Sequence, residues 1–460
     1  MVKFNPYIFR EYDIRGEVAN DFPPSVVEEL GKAFGTRLKR SGGEVALLGR
    51  DCRLSSPHLS ESITRGIRAT GIDVVDAGLI TTPCLYFGLH TLDVDGGIMV
   101  TGSHNPPEYN GFKVALGKST IYGKEIKRLA ELLRSNDFAE GSGGREEIDL
   151  LSPYSAHLTK AMEVGRKLKV VVDSGNGTAG LVAPGVFRRG GWEVIDLFSK
   201  PDGRFPNHHP DPTVESSLKS LIETVRAEKA DLGIGFDGDA DRIGVVDEKG
   251  SIIWGDRLLI LFSREILAGG PATIVFEVKC SQALIDDIRK HGGRPVMGST
   301  GHSLIKKAMK AEGASLAGEM SGHIFFADRY FGYDDAIYAA IRLIGICSRA
   351  DMPLSRLLAD VPRYFSTPEI RIDCADNRKF EVVEAVKRHF RRNHEVIDVD
   401  GARIVFSGGW GLVRASNTQP ALVMRFEASD EARLKELQRE VYQVLREEAG
   451  VDVPEPDDER

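Results

Sequence analysis

One pattern recurs three times along the chain and restricts the folds open to it: an apolar strand, a chemically distinctive loop, a helix, then glycine and a second strand. The first copy runs from VALLGRDCR at residues 45–53 to GIDVVDAG at 71–78. The second runs from KVVVDSGNG at 169–177 to GWEVIDL at 191–197, and the third from ATIVFEVKCS at 272–281 to GGRPVMGSTGH at 292–302. Each copy then reaches another short strand with an unusual outgoing loop: GGIMV before TGSHNPPEYNG, DLGIG before FDGDADR, and ASLAG before EMSGH. Strands joined by helices imply βαβ crossovers and largely parallel sheets, in which ligands gather beyond the carboxyl ends of the strands. Copies stacked around one centre turn their loops toward a shared cleft.

After about residue 363 the rhythm changes to a strand at 369–372, a helix at 377–392, several strands with short connections and a closing helix at 430–448. The expectation is three similar α/β domains with mixed or parallel sheets at 1–148, 149–250 and 251–362, then a smaller α+β domain at 363–460. Several domains are required in any case, because 460 residues exceed what one hydrophobic core organises. A net charge of −8 opposes binding to nucleic acid or an anionic membrane, so any bound anion must meet locally clustered Arg, Lys and backbone N–H groups. The opening MVKFNPYIFREYDIRGE interrupts its apolar residues too early for a signal-peptide core, and no later apolar run approaches spanning length. Five scattered cysteines, none in a C-x-x-C pair, read as reduced structural thiols, and the location expected is cytoplasmic. The acidic tail from 454 to 460 reads as a solvated end.

Residues 101–113, TGSHNPPEYNGFK, place Ser103 and His104 in a turn held open by two prolines. A serine before Asn-Pro would, in isolation, be a turn residue bonding its own backbone. FDGDADR sets Asp237, Asp239 and Asp241 at alternate positions, where their oxygens can converge on one hard divalent cation. A calcium EF-hand does not fit, because Arg242 stands where the sharp turn needs glycine and the flanks read as strands; Mg²⁺ is preferred. GEMSGH at 318–323 offers Glu319, Ser321 and His323, a set suited to gripping vicinal hydroxyls while moving a proton, although a lone histidine is more often a satisfied core or surface residue. RASNTQP at 414–420 supplies a guanidinium, two hydroxyls, an amide and loop N–H groups, which fit a phosphate monoester; by itself it would be an ordinary surface turn.

Together with YDIRG at 12–16 and TGHS at 300–303, these segments stand in the order found in the α-D-phosphohexomutases, which the chain resembles from end to end, with the phosphomannomutase/phosphoglucomutase branch the most similar. The resemblance implies three similar α/β domains, a fourth like the TATA-box-binding protein, and an active site in the central cleft. It implies that Ser103 carries the phosphoryl group and, with Asp237, Asp239 and Asp241, ligates one Mg²⁺. Arg15, His104, Lys113, Arg242 and His323 correspond to catalytic residues, with Lys113 and His323 the candidates for acid/base work. Tyr12, Lys279, Gly301 and His302 correspond to substrate-binding residues, Glu319 and Ser321 to contacts with the sugar O3 and O4, and Arg414, Ser416, Asn417 and Thr418 to the clamp on the substrate's phosphate. The implied reaction interconverts hexose 1-phosphate and hexose 6-phosphate, of mannose or glucose, with a hexose 1,6-bisphosphate as intermediate and activator. The implied partners are small hexose phosphates, without nucleic acid or membrane, in a monomer or small homo-oligomer. Glucosamine-type relatives tend to have Gln where Met320 stands and Ala where Gly102 stands, so a phosphoglucosamine mutase is the second choice. Gln419 departs from the Thr or Glu common in the family.

Two other classes compete. GNGTAG at 175–180 is a literal G-x-G-x-x-G after a strand, with Asp196 where a ribose-binding acid could stand, which suggests an NAD-dependent oxidoreductase but accounts for none of the other loops. A noncatalytic sugar-phosphate-binding protein would have lost Ser103 or the aspartates, and both are present. His208 and His209, followed by Asp211, could suggest a second metal site; adjacent side chains diverge along a strand, and the family has a similar loop, so the pair reads as structural or cleft-lining.

Overall fold

A computed structural model describes residues 2–163, 165–416 and 419–454, and in it each sequence repeat forms a sheet with the same order of four strands. In the first, Val45–Arg50 lies between Asp73–Leu79 and Gly96–Val100, both parallel to it, and Tyr109–Leu116 returns antiparallel beside Gly96–Val100. In the second, Lys169–Asp173 lies between Glu193–Leu197 and Leu232–Phe236, and Ile243–Asp247 returns. In the third, Thr273–Glu277 lies between Arg294–Gly298 and Leu316–Gly318, and Ile324–Phe326 returns. The sheets are therefore mixed. Each distinctive loop joins two adjacent strands with no helix between them to carry the chain back, so the second strand has to run antiparallel. All three loops consequently leave the carboxyl end of the same strand in the repeat.

The strands that deliver the loops are apolar because both faces are covered: every residue of Gly96–Val100 and of Leu232–Phe236 is buried. Three further strands extend the first sheet, one of them the two-residue Ser119–Thr120 beside Tyr109–Leu116. Ile14–Glu17 pairs antiparallel with Tyr109–Leu116, which brings the 12–16 segment beside the Ser103 loop, and Arg145–Glu147 pairs with Asp73–Leu79. A single apolar cluster runs through all three units, including Leu47 and Phe87 of the first, Val170 and Phe236 of the second, and Leu259, Phe276 and Ile337 of the third. The units are thus fused along one seam, which fixes the relative placement of their loops.

The last unit is a six-stranded antiparallel sheet with the helices Lys379–Phe390 and Glu431–Glu447 packed over a core that includes Leu422, Met424 and Phe426. Its other side meets the third unit, where Trp410 and Leu412 pack on Val278. Arg403 lies 3.7 Å over the Trp410 ring and donates to the carbonyls of Val278 and Cys280 at 2.5 and 2.8 Å. No helix among the described residues is long and apolar enough to cross a membrane.

Candidate active site

The strand Gly96–Val100 ends in the loop that carries Ser103, whose backbone takes a left-handed φ of 50°. That conformation costs a non-glycine residue about 1–3 kcal/mol and persists only where the surroundings impose it. Two buried residues of the first repeat do so. Asp51 accepts hydrogen bonds from Thr101 Oγ1 at 2.8 Å and the Gly102 N–H at 3.1 Å, and Thr101 Oγ1 in turn accepts the Ser103 N–H at 2.9 Å. Arg53, with a fully buried side chain paired to Asp51, donates to the carbonyls of Ser103, Asn105, Pro106 and Tyr109 at 2.8, 2.5, 2.6 and 3.0 Å. Gly102 leaves room for this guanidinium, since a Cβ there would stand 2.4 Å from Arg53 Nε. Asp51 and Arg53 are absent from the residues picked out by sequence; their signal was the charged GRDCR segment at the carboxyl end of a repeat strand. Arg53→Ala leaves Asp51 buried without its partner and is expected to cost about 3–5 kcal/mol, read as a lower urea midpoint.

From the first unit to the second, Ser103 Oγ donates to Asp237 Oδ2 at 2.8 Å, a contact between residues 134 apart in sequence. The other oxygen of Asp237 accepts the N–H groups of Asp241 and Arg242 at 3.1 and 3.0 Å, which ties the turn onto its own first carboxylate. Asp239 accepts Thr82 Oγ1 at 2.5 Å and Lys113 Nζ at 2.7 Å, and Lys113 also bonds Asp241. All three aspartates are fully buried, and an oxygen of each lies within 4.8 Å of the others. Burial, then the charges of Asp239 and Asp241, push the Asp237 carboxyl well above the usual range. Among the described residues, one oxygen of Asp239 and one of Asp241 have no hydrogen-bond partner. Three buried carboxylates, two of them sharing one ammonium, with orphaned oxygens, fit a divalent cation. Burial opposes the Lys113 charge, but Asp239 and Asp241 outweigh it and hold the ammonium protonated.

The flanking residues close on the same point. His104 Nδ1 lies 3.2 Å from Ser103 Oγ, and burial, followed by the nearby charges of Arg242 and Arg15, keeps its ring neutral. Arg15 pairs with Asp13 at 2.6 Å and donates to Asn105 Oδ1 at 3.0 Å. Arg242 Nε donates to His323 Nε2 at 3.0 Å, and the Ile243 N–H bonds the Gly322 carbonyl at 3.1 Å, which stitches the aspartate loop to the 319–323 turn. In that turn the Glu319 N–H bonds the His323 carbonyl at 2.9 Å, Glu319 Oε1 accepts the Gly301 N–H at 2.6 Å, and Ser321 is half-buried. Burial and neighbouring Glu277 raise the Glu319 carboxyl. Glu277 itself accepts the Met320 N–H at 2.7 Å and Thr300 Oγ1 at 2.8 Å. The His302 ring stacks on His323 at 5.6 Å and meets the edge of Tyr12 at 5.7 Å, and burial lowers its pKa to about 4. Gly301 has φ 125°, and a Cβ there would stand 2.8 Å from the Tyr12 ring. Burial, then Asp13, raises the Tyr12 phenol to about 12.

The fourth unit reaches this group through two acidic residues. Asp400 holds Arg414 with contacts of 3.0 Å and accepts the Thr300 N–H at 2.9 Å; Glu369 holds Lys279 at 2.9 Å, and Lys279 lies 3.5 Å from Glu277. Ser416 Oγ accepts the Gln419 N–H at 3.1 Å, Gln419 Oε1 accepts from Arg371 at 2.5 Å, and the Ser416 carbonyl receives Lys379 Nζ at 2.6 Å. Asn417 and Thr418 lie outside the described residues. Burial alone would raise the Glu369 carboxyl, but Lys279 and Arg371 overcome it and hold it at about 2, below its ordinary 4.5. Because the folded value is depressed, the contact stabilises above pH 4.5 and that contribution is lost as pH falls toward 2. Glu369→Gln should therefore melt below the parent at neutral pH, with the gap closing in thermal scans between pH 4.5 and the acid limit.

The G-x-G-x-x-G segment has a different use. Its strand leads into the 3₁₀ turn Thr178–Leu181, and the Thr178 N–H bonds the Gly238 carbonyl at 3.0 Å inside the aspartate loop. A Cβ on Gly177 would stand 2.8 Å from that carbonyl oxygen, so glycine serves backbone-to-backbone packing beneath the aspartate turn. His208 Nε2 donates to the Asp173 carboxylate, 3.1 Å away, beside the same segment.

Comparison with known proteins matches this layout. Residues 6–140, 152–250, 254–365 and 369–444 match, in turn, the phosphoglucomutase/phosphomannomutase alpha/beta/alpha domains I, II and III and the C-terminal domain. The chain is 46% identical over 432 residues to a phosphomannomutase/phosphoglucomutase of Pseudomonas aeruginosa, covering 94% of this chain and 93% of that one. It is 42% identical over 444 residues to a phosphoglucomutase of Neisseria gonorrhoeae, covering 95% and 96%. Among solved structures, a phosphoglucomutase/phosphomannomutase family protein of Burkholderia thailandensis superposes with a TM-score of 0.94 at 40% identity, over 98% of this chain and 100% of that one.

Proposed function

The chain belongs to the phosphoglucomutase/phosphomannomutase family, and on that premise we propose that it interconverts the 1- and 6-phosphates of mannose and glucose through a phosphorylated Ser103. The observation that carries this is the Ser103 Oγ contact of 2.8 Å with Asp237, which puts a strained, buried serine against a triad of carboxylates.

A phosphate cannot reach from one end of a hexose to the other, so the enzyme must lend a phosphoryl group and recover one. Ser103 gives its phosphoryl group to the free hydroxyl: the P–O bond to the serine breaks, a P–O bond to the sugar forms, and the hydroxyl proton passes to a base. The resulting hexose 1,6-bisphosphate turns end for end, Ser103 takes the phosphate from the opposite carbon, and the product leaves with its phosphate relocated. Asp237, Asp239 and Asp241 would hold one Mg²⁺, which when bound supplies positive charge opposite a serine ester of about −1.5 to −2 charges. Such a transfer depends more on positioning and charge than on a strong nucleophile. Arg242 and Arg15 supply fixed positive charge beside the serine loop, and Lys113, held protonated by two aspartates, is suited to donating. His323 is the candidate for accepting the hydroxyl proton: its Nε2 is unprotonated, and it takes that proton when the Arg242 hydrogen bond to Nε2 gives way to the substrate. Glu319 and Ser321 are suited to the sugar hydroxyls, and Arg414 and Ser416 to the phosphate that does not react. Asn417 and Thr418 would complete that clamp. The free cysteines suit a reducing cytoplasm.

Met320 and Gly102 support the choice of sugar. Alanine at 102 would drive a methyl group into Arg53, so this loop is built for glycine. In a coupled assay with Mg²⁺ and a catalytic amount of hexose 1,6-bisphosphate, mannose 1-phosphate and glucose 1-phosphate should both turn over, with glucosamine 1-phosphate slower by roughly tenfold or more. Preferred turnover of the glucosamine ester would reverse the assignment of the sugar.

A further inference from the structure

Two adjacent aspartates, Asp334 and Asp335, open the helix Ala336–Arg349, and both are buried. They do different work. Asp335 is fully engaged in holding the fold: one oxygen accepts the Tyr338 N–H at 2.9 Å as the helix cap, and the other accepts the hydroxyls of Tyr154 and Tyr330 at 2.8 and 2.6 Å. Asp334 turns to the opposite side. Its Oδ1 receives the ammonium of Lys306 at 3.0 Å, and its Oδ2 lies 3.1 Å from His323 Nδ1 and 3.5 Å from His302 Nδ1.

Among the described residues neither imidazole Nδ1 makes a hydrogen bond of good geometry, with Asp334 Oδ2 or with any other atom, and Asp334 Oδ2 accepts none, so the three atoms face one another at 3.1 and 3.5 Å with their bonding capacity unused. The two rings are stacked nearly parallel, 18° apart, and direct the same atom to one carboxylate oxygen. For His323 the choice of tautomer follows from the other nitrogen. Arg242 Nε can only donate, so His323 Nε2 must accept, and the ring proton has to sit on Nδ1. The group able to receive that proton is Asp334 Oδ2, because Lys306 already occupies Oδ1. The neighbouring Asp241 oxygen is more distant at 3.6 Å. A cation shared by Asp241, His323 and Asp334 would require the opposite tautomer, with the Nε2 proton pointing at a donor; the arrangement calls for a proton at Nδ1 instead.

We propose that Asp334 is a positioning residue for the transfer: it fixes His323 as the Nδ1–H tautomer and leaves Nε2 unprotonated, as the acceptor of the Arg242 Nε–H, with His302 stacked beside it. The kinetic consequence rests on the phosphohexomutase reading; the tautomer does not. The substitution Asp334→Asn is informative because Lys306 claims the remaining oxygen, so the amide NH₂ faces the imidazoles and opposes a proton on Nδ1.

The test uses the full chain with Mg²⁺ and ¹⁵N-labelled histidine, with the His323 signals assigned by their absence in His323→Gln. Two-bond ¹H–¹⁵N correlation should show His323 protonated at Nδ1 and bare at Nε2 in the parent, and a shift toward the Nε2–H form in Asp334→Asn. The same variant should lose about 10²-fold or more in kcat, the scale of a misplaced acid–base group, with KM changed by less than about threefold. An Nε2–H parent ring, or an Asp334→Asn enzyme with kcat within about threefold of the parent, overturns the proposal. If the variant does not fold, the parent spectrum still decides, and if the parent shows no mutase turnover it is the functional reading that falls while the spectrum continues to test the orientation.

Discussion

Ser103→Ala is expected to lower mutase turnover by roughly 10⁴-fold or more while hexose phosphate binding remains measurable by calorimetry. The substitution removes one oxygen, the atom that donates to Asp237, and leaves the loop's scaffold intact. Asp51 still holds Thr101 and the Gly102 N–H, and Arg53 still holds four loop carbonyls, so the loss is chemical and not a failure to fold. Binding should survive because Glu319, Arg414 and Lys279 are anchored by Gly301, Asp400 and Glu369, none of which depends on the serine. Near-normal turnover by this variant would remove Ser103 from the role of carrier.

Chelation of divalent metal should reduce turnover by about 10³-fold, with recovery on adding Mg²⁺. The physical reason is the crowding of Asp237, Asp239 and Asp241, fully buried with Lys113 as the cation bridging two of them and with unpartnered oxygens on Asp239 and Asp241. A cation that binds the folded triad must also raise thermal stability by mass action, about 2.7 kcal/mol at a hundred times its Kd. The melting midpoint should therefore rise with Mg²⁺ concentration in the parent and stay flat in Asp239→Asn. A parent whose melting and turnover both ignore Mg²⁺ would show that Asp239 and Asp241 serve only Lys113, and Asp237 only Ser103 and its own loop.

Much of the site was legible in the sequence because its chemistry is carried by short contiguous segments at equivalent places in three repeats. Ser103, Asp237 and Glu319 each follow the third strand of a copy, and the same strand order in the three sheets explains why loops so far apart in sequence meet. The resemblance to the phosphohexomutases then implied the sugar, the metal and the residue roles that the proposals above take up. What escaped is held by long-range side-chain contacts that no local pattern marks. Arg53 matters because it reaches carbonyls more than fifty positions away, Thr82 because it meets Asp239, and Asp400 because it joins Arg414 to the Thr300 N–H. The glycines at 175–180 looked like a dinucleotide loop because close backbone approach demands the same residue whether the neighbour is a pyrophosphate or, as at Gly177, the Gly238 carbonyl. The antiparallel strand Ile14–Glu17 was also hidden: four residues are too few to show alternation, and its partner lies near position 110.

The most direct test is to incubate the protein with hexose 1,6-bisphosphate and Mg²⁺, remove free sugar, and locate the phosphate by peptide mass spectrometry before and after adding a hexose monophosphate. One phosphoryl group on Ser103, discharged by the monophosphate with bisphosphate appearing in equal amount, is the predicted result. A phosphate on another residue, or one on Ser103 that the sugar cannot remove, would contradict it.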